Sequence, residues 1–286
     1  MDKDNLVFRA GQITIGGDLT VNRFGYGAMR ITGEGVWGPP KDKKESISVL
    51  KKVVELGINF IDTADSYGPY VSEELIAEAL YPYPKHLVIA TKGGLERTGP
   101  NQWPINGRPD HLKIALEGSL KRLRLERIDL YQLHRFDPKV PIEETLGFLK
   151  EMQTKGLIRH LGLSEVSVED IETALKYIKV VSIQNMYNMG ERKWEKSLNW
   201  CEKNSAAFIP WYPLSAGNIK VDKILKSLGE KYRATPYQIA LAWLLNHSRS
   251  ILPIAGTSSV AHLEENIKAL EIILTPEEIS ELDSLK

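Results

Sequence analysis

Short apolar runs and longer amphipathic stretches take turns along nearly the whole chain. Runs beginning near Val21, Asn59, Leu87, Ile128, Ile158, Val181, Phe208 and Ile251 are continuous rather than alternating, and each has the length of a strand. Between them the apolar positions recur at helical spacing. Ile47, Leu50, Val53 and Val54 share one face, as do Leu75, Ile76, Ala79 and Leu80, and Ile171, Leu175 and Ile178. Gly57 and Gly156 stand where helices stop, each directly before a strand, as a left-handed helix terminus requires. Ser167 with Asp170 has the spacing of a capping box, and Thr235-Pro236 and Thr275-Pro276 pair an N-cap with a proline whose missing N–H costs nothing in the first turn. Ahead of the first run, Leu6 to Leu19 reads as a hairpin that turns near Gly11 and again at Gly16-Gly17.

Strands that are apolar on both faces imply a parallel sheet covered by helices. Eight strand-and-helix units then predict closure into a (β/α)8 TIM barrel, one domain over residues 1–286 with the hairpin leading it; a doubly wound sheet is the alternative. A barrel carries its chemistry at the C-terminal ends of its strands. Asp62, Lys92 and His134 end three successive runs, and Tyr67 lies on the loop after the first of these. The longest irregular stretch, Gly93 to Pro109, follows Lys92 and contains Trp103, so it is expected to wall a substrate pocket together with Trp37 from the loop after the first strand.

Composition narrows the partners. The chain of 286 residues is 42% hydrophobic with a formal net charge of zero, which gives nucleic acid or an acidic membrane surface nothing to attract. Met1 to Asn5 lacks the basic and apolar stretches of a secretory leader, and no apolar run reaches the roughly 18 residues of a membrane span. A cytoplasmic chain that works as a monomer or weak homo-oligomer is expected. The lone Cys201 rules out an intrachain disulfide, and His86, His111, His160, His247 and His262 lack metal-ligand spacing, so no metal is expected.

The four polar residues have complementary chemistry. A tyrosine, with a reference pKa of about 10, becomes a better acid when a neighbouring cation favours the phenolate, and Lys92 is expected to be that cation. Asp62 supplies the counter-charge that a buried ammonium needs. His134 is placed to hydrogen-bond a carbonyl oxygen or to share its proton with Tyr67.

Asp62, Tyr67, Lys92 and His134, in this order, resemble the catalytic tetrad of the aldo-keto reductases, and the resemblance extends over nearly the whole chain. It implies NADPH held in the barrel mouth and a small carbonyl compound reduced to an alcohol. No Gly-x-Gly-x-x-Gly fingerprint follows a strand, which argues against a Rossmann site. By the same resemblance Ser164, Glu165 and Gln184 hold the nicotinamide carboxamide. Much of the family has Asn at position 165; an ionised Glu accepts but cannot donate, leaving Ser164 and Gln184 to donate. Trp211, followed by Tyr212 and Leu214, occupies the place of the ring that stacks on the nicotinamide. The segment from Gly256 through Ser258 and His262 to Glu265 and Asn266 resembles the adenosine-phosphate site, with His262 where many NADPH-specific members carry Arg.

Gly35-Val36-Trp37-Gly38-Pro39-Pro40, Tyr67-Gly68-Pro69, Ala79-Leu80-Tyr81-Pro82-Tyr83 and Gly256 to Leu263 look like the bacterial pyridoxal reductase branch, which implies an aromatic aldehyde such as pyridoxal. Two other functions compete. One is a cofactor-sensing subunit similar to the potassium-channel β-subunits, against which the short N-terminus counts. The other is a (β/α)8 hydrolase or aldolase, which the absence of a metal cluster and the cofactor-like second half disfavour.

Overall fold

The computed structural model describes residues 6–217 and 223–285; the first five residues, on which the reading of the leader rests, lie outside them. Seven parallel strands follow one another in chain order: β3 (Tyr26–Gly27), β4 (Phe60–Asp62), β5 (Val88–Gly93), β6 (Ile128–Leu133), β7 (Ile158–Ser164), β8 (Val180–Gln184) and β9 (Ala207–Phe208). Helices alternate with them, α1 (Lys43–Glu55) after β3, α2 (Val71–Leu80) after β4, α3 (Pro109–Leu123) after β5, and α4 (Ile142–Thr154) after β6. Continuous apolar runs mean what the pattern predicts, since β4, β5 and β8 are buried at every position. Their side chains divide between two cores. Val88 and Ala90 join an inner cluster with Phe60, Leu130, Val181 and Leu252, while Ile89 joins the larger cluster between sheet and helices.

The last predicted strand, from Ile251, is reduced to single bridges. Phe208 pairs with Ile251 and Gly25 with Ile254, so this segment touches both edges of the curled sheet. Pro253 has no N–H to give, which interrupts a regular ladder there.

The leading hairpin exists but lies further along the chain than expected. Leu6–Ala10 is a short 3-10 helix, and the hairpin joins β1 (Gln12–Ile15) to β2 (Leu19–Asn22), with Ile15 opposite Leu19. Val21 therefore belongs to the hairpin rather than to the first parallel strand, Tyr26–Gly27. Burial decides the register: Ile15, Leu19 and Val21 enter the inner cluster, where they cover the end of the sheet opposite Asp62, Lys92 and His134.

Helix ends follow the sequence signals closely. Gly57 and Gly156 adopt φ of 81° and 79° just past α1 and α4. Capping boxes form at Ser167 and Asp170, entering α5 (Val168–Ala174), at Thr235 and Gln238, and at Thr275 and Glu278. One face differs, because α5 ends at Ala174 and leaves Leu175 exposed at its cap. After α6 (Glu195–Asn204) and α7 (Lys223–Tyr232), α8 (Pro236–His247) is buried along most of its length, and α9 (Val260–Ile267) and α10 (Pro276–Asp283) pack beside it. Among the described residues no helix is long and apolar enough to cross a membrane.

A histidine ties α10 to the body. His247 Nε2 lies 3.2 Å from Glu195 Oε1 and His247 Nδ1 lies 3.1 Å from Asp283 Oδ1, which also accepts from Trp243 Nε1 at 2.8 Å. Burial works against charging the ring, but the hydrogen bond to Glu195 and the attraction of Glu195 and Asp283 outweigh it, and its pKa is raised. A raised histidine pKa gives stability that is fully present below the unfolded value of about 6.5 and is lost as pH rises through the folded value. His247→Gln is expected to cost on the order of 1 kcal/mol near pH 6, shrinking as pH rises. Urea midpoints of both proteins across that range check this, and a cost independent of pH would count against the ion pair.

Candidate active site

Parallel pairing sets the polar residues side by side. Asp62 is in register with Ala90, Lys92 with Gln132, and Ser164 with Gln184, so the ends of β4 to β8 form one polar rim above the apolar inner core. Lys92 Nζ is fully buried. It donates to Asp62 Oδ1 at 2.6 Å, to the Thr63 carbonyl at 2.8 Å and to Tyr67 Oη at 3.3 Å. The second oxygen of Asp62 accepts from Gln184 Nε2 at 2.8 Å and from Gln132 Nε2 at 3.1 Å. His134 completes the group, its ring edge-on to Tyr67 with centroids 6.1 Å apart and its Nδ1 3.5 Å from Ser66 Oγ.

The electrostatics refine the expectation for tyrosine. Burial raises the Tyr67 pKa, Lys92 opposes this without reversing it, and Asp62 adds to the rise, so the phenol holds its proton throughout the neutral range. Lys92 acts on the phenol in the expected direction, but burial outweighs it. For Lys92, burial disfavours the charge, but Asp62 and then Tyr67 overcome it, and the ammonium persists. Burial first, then the cations Lys92, Arg135 and Arg97, push His134 well below its ordinary value. His134 is therefore a neutral imidazole, able to donate from one nitrogen only.

One cavity of about 650 Å³ runs from this group across the mouth of the sheet. Asp62, Tyr67 and His134 line it together with Ser164, Gln184, Trp211, Tyr212, Leu214, Gly256, Ser258, His262, Glu265 and Asn266. Its floor is tight where Gly27 and Gly256 meet, since a Cβ on Gly256 would stand 2.5 Å from the Gly27 carbonyl oxygen. Trp103 lines the cavity, 6.4 Å from Tyr67 in an edge-on contact. Trp37 does not line it; its half-exposed ring sits beside Arg97, 5.5 Å from the guanidinium carbon. Backbone pairing with Gly68 holds Trp37 on the Tyr67 loop, at the rim rather than the wall.

Three details depart from the sequence reading. Gln184 spends its amide N–H groups on Asp62 and, at 3.4 Å, on Gln132 Oε1, so it keeps an acceptor for a ligand rather than the expected donor. Glu165 does not line the cavity: one of its oxygens accepts from Trp211 Nε1 at 2.7 Å and from the Met186 N–H at 2.6 Å. These bonds fix the ring of Trp211 and hold Glu165 at φ 56°, a left-handed conformation that Asn adopts more readily. At the far end, the Val260 N–H that opens α9 already donates to Glu45 at 2.9 Å and the Ser259 N–H to Thr257 Oγ1 at 3.2 Å. Fewer amides are thus free for an anion than the loop suggested.

Several residues escaped the sequence reading. Gln132 supports Asp62, and an amide inside an apolar run was the signal that marked it. Arg97 has no such signal; it donates to the carbonyls of Gly35, Val36, Ser66, Gly99 and Gln102, knotting three loops together over Trp103. Arg135 follows His134 and lines the cavity. Asp65 is buried behind Tyr67, where burial and the nearby Glu73 push its carboxyl up to about 8, so it is neutral at pH 7. Among the described residues no three His, Cys, Asp or Glu side chains gather as a metal site.

Nearly the whole chain is similar to known proteins. Residues 23–286 match the model of the aldo/keto reductase family. The chain is 53% identical over 276 residues to an uncharacterized oxidoreductase of Schizosaccharomyces pombe, covering 96% of this chain and 90% of that one. It is 40% identical to pyridoxine 4-dehydrogenase of Escherichia coli, with 94% and 96% covered. The crystal structure of an aldo-keto reductase from Klebsiella pneumoniae in complex with NADPH superposes with a TM-score of 0.79 at 26% identity, covering 96% of this chain and 94% of that one.

Because Asp62 is buried against a single ammonium, Lys92→Met is expected to destabilise the fold by about 3–5 kcal/mol. Adding Asp62→Asn removes the orphaned charge and is expected to recover part of that loss, which urea denaturation of the two single variants and the double variant measures. Strictly additive losses would mean the two residues are not coupled.

Proposed function

The chain belongs to the aldo/keto reductase family and is an oxidoreductase; from that premise we propose that it reduces aldehydes or ketones to alcohols with NADPH, Tyr67 giving the proton. The observation that carries this reading is the buried contact of Tyr67 with Lys92 beside a neutral His134, in the cavity that also contains Trp211 and the loop from Gly256. In this reading residues 1–286 act as one (β/α)8 domain, with the segment from Ile251 as its eighth strand, supported by its bridges to both sheet edges.

The donor set suits the dinucleotide. Ser164 has a hydroxyl hydrogen to give to the carboxamide carbonyl and Gln184 has a free acceptor for its amide, while Trp211 offers a ring already oriented by Glu165. Gly256, Ser258, His262, Glu265 and Asn266 at the other end of the cavity would take the adenosine phosphate, with Tyr212 and Leu214 between. When bound, NADPH supplies the hydride.

The chain's own residues handle the proton. Tyr67, un-ionised at neutral pH, donates to the carbonyl oxygen, and the phenolate left behind is stabilised by the Lys92 ammonium 3.3 Å away. Asp62, held by Gln132 and Gln184, keeps that ammonium charged and in place. His134 points its one N–H at the same oxygen and orients it. Trp103 walls the substrate side, and Trp37 stiffens the rim. The relative named pyridoxine 4-dehydrogenase supports an aromatic aldehyde such as pyridoxal as the substrate to try first.

NADPH oxidation followed against a panel of aldehydes, pyridoxal included, tests the reading, and tight NADPH binding without turnover on any of them would overturn it. Tyr67→Phe is expected to lower kcat by about 10² to 10⁴ while leaving NADPH affinity nearly intact, because the hydroxyl acts only in the chemical step. Near wild-type turnover by this variant would remove Tyr67 from the mechanism.

NADPH is expected to bind more tightly than NADH. His262→Arg should sharpen that preference by about tenfold, since a permanently charged guanidinium binds phosphate through two N–H groups. Competitive titration of both cofactors decides it, with equal NADH affinity in the unaltered protein as the contrary result.

A further inference from the structure

Arg135 lines the cavity but takes no part in the proposed reduction. Its Nη1 donates to the His134 carbonyl at 2.6 Å and to Ser164 Oγ at 3.0 Å, which pins the guanidinium between the proton-handling residues and the end of β7. Among the described residues it meets no carboxylate within ion-pair distance, whereas Lys92 in the same site is paired with Asp62. Glu165, the carboxylate that acts on it from nearby, already accepts from Trp211 and Met186. Asp62 is likewise saturated by Lys92, Gln132 and Gln184. The guanidinium is half-buried and lines the cavity with Tyr67, His134, Trp103 and Leu95.

A partly desolvated cation with no carboxylate in direct contact is costly to maintain, and a ligand that brings an anion relieves the cost. The carboxamide of the cofactor does not need it. Ser164 accepts from Arg135 with a lone pair and keeps its own hydrogen to donate, and Gln184 keeps an acceptor. The remaining N–H groups of Arg135 are therefore left for the substrate. Its guanidinium lines the same cavity as Tyr67 and His134 and its charge acts on both rings, so a substrate group that meets it lies next to the carbonyl those residues orient. Aromatic and apolar neighbours, Trp103 and Leu95, suit a flat ring on the other side.

Resting on the reductase reading above, we infer that Arg135 is a specificity-determining residue that selects aromatic aldehydes bearing an anionic oxygen next to the formyl group. An ortho-phenolate, as in pyridoxal, and an ortho-carboxylate both have this chemistry. A guanidinium discriminates in their favour through charge-assisted, planar hydrogen bonds that a neutral ring cannot return.

Two matched pairs test it: pyridoxal against the same compound methylated on its phenolic oxygen, and 2-carboxybenzaldehyde against its methyl ester. In Arg135→Met the ratio of kcat/KM for the charged over the neutral member is expected to fall by about 10- to 100-fold, mainly through KM, and Arg135→Lys is expected to restore part of it. Calorimetric titration of benzene-1,2-dicarboxylate and of its monomethyl ester into the protein saturated with NADP+ reads the same contact without turnover, and weakening of the dicarboxylate relative to the ester by about tenfold or more in Arg135→Met is expected. An unchanged ratio overturns the inference. So does an equal fall for both members with a parallel loss of NADPH affinity, which would make Arg135 part of the cofactor's seat. If no carbonyl is reduced by the unaltered protein, the reductase reading fails, and the calorimetric arm still decides whether Arg135 binds the anion.

Discussion

An ammonium group sealed from water at the end of a strand is tolerated only when the fold itself supplies its partners, and Lys92 has three of them, the Asp62 carboxylate, the Thr63 carbonyl and the Tyr67 hydroxyl. Asp62 in turn must be neutralised on its other oxygen, and Gln132 and Gln184 reach it from β6 and β8. One buried charge thus constrains four strands at once. A slip of any of them by one residue would turn its polar end toward the helices and its apolar neighbours into the cavity, leaving a charge or amide unpaired. The register that satisfies Lys92 is also the register that brings Asp62, Tyr67 and His134 together at one end of the sheet.

Around that centre the structure keeps each group in one protonation state. Burial holds the proton on Tyr67 and removes it from His134, while Asp62 keeps Lys92 charged. Arg97 ties the Tyr67 loop to its neighbours, donating to carbonyls before, within and after it. Glu165 plays the corresponding part for Trp211. Its carboxylate is a local brace, which explains why a charged residue is accommodated where an uncharged amide would serve a ligand directly.

Much of this was legible along the chain because it rests on local periodicity and on residue chemistry at the ends of apolar runs. The parallel order of the sheet, the capping residues Ser167, Thr235 and Thr275, the helix stops at Gly57 and Gly156, and the candidates Asp62, Tyr67, Lys92 and His134 all follow from patterns a few residues wide. Beyond the contacts of Lys92 with Asp62 and Tyr67, which residue chemistry anticipated, the tertiary structure decided which partner each polar group took. Nothing near Gln184 in the chain announces that Asp62, far away in sequence, claims its N–H groups, nor near Glu165 that it braces Trp211. The same holds for the hairpin, whose strands lie at 12–22 because Ile15, Leu19 and Val21 are buried against strands that come later in the chain. A hydrogen bond or a buried face is a property of two segments, and a chain read in order gives only one of them at a time.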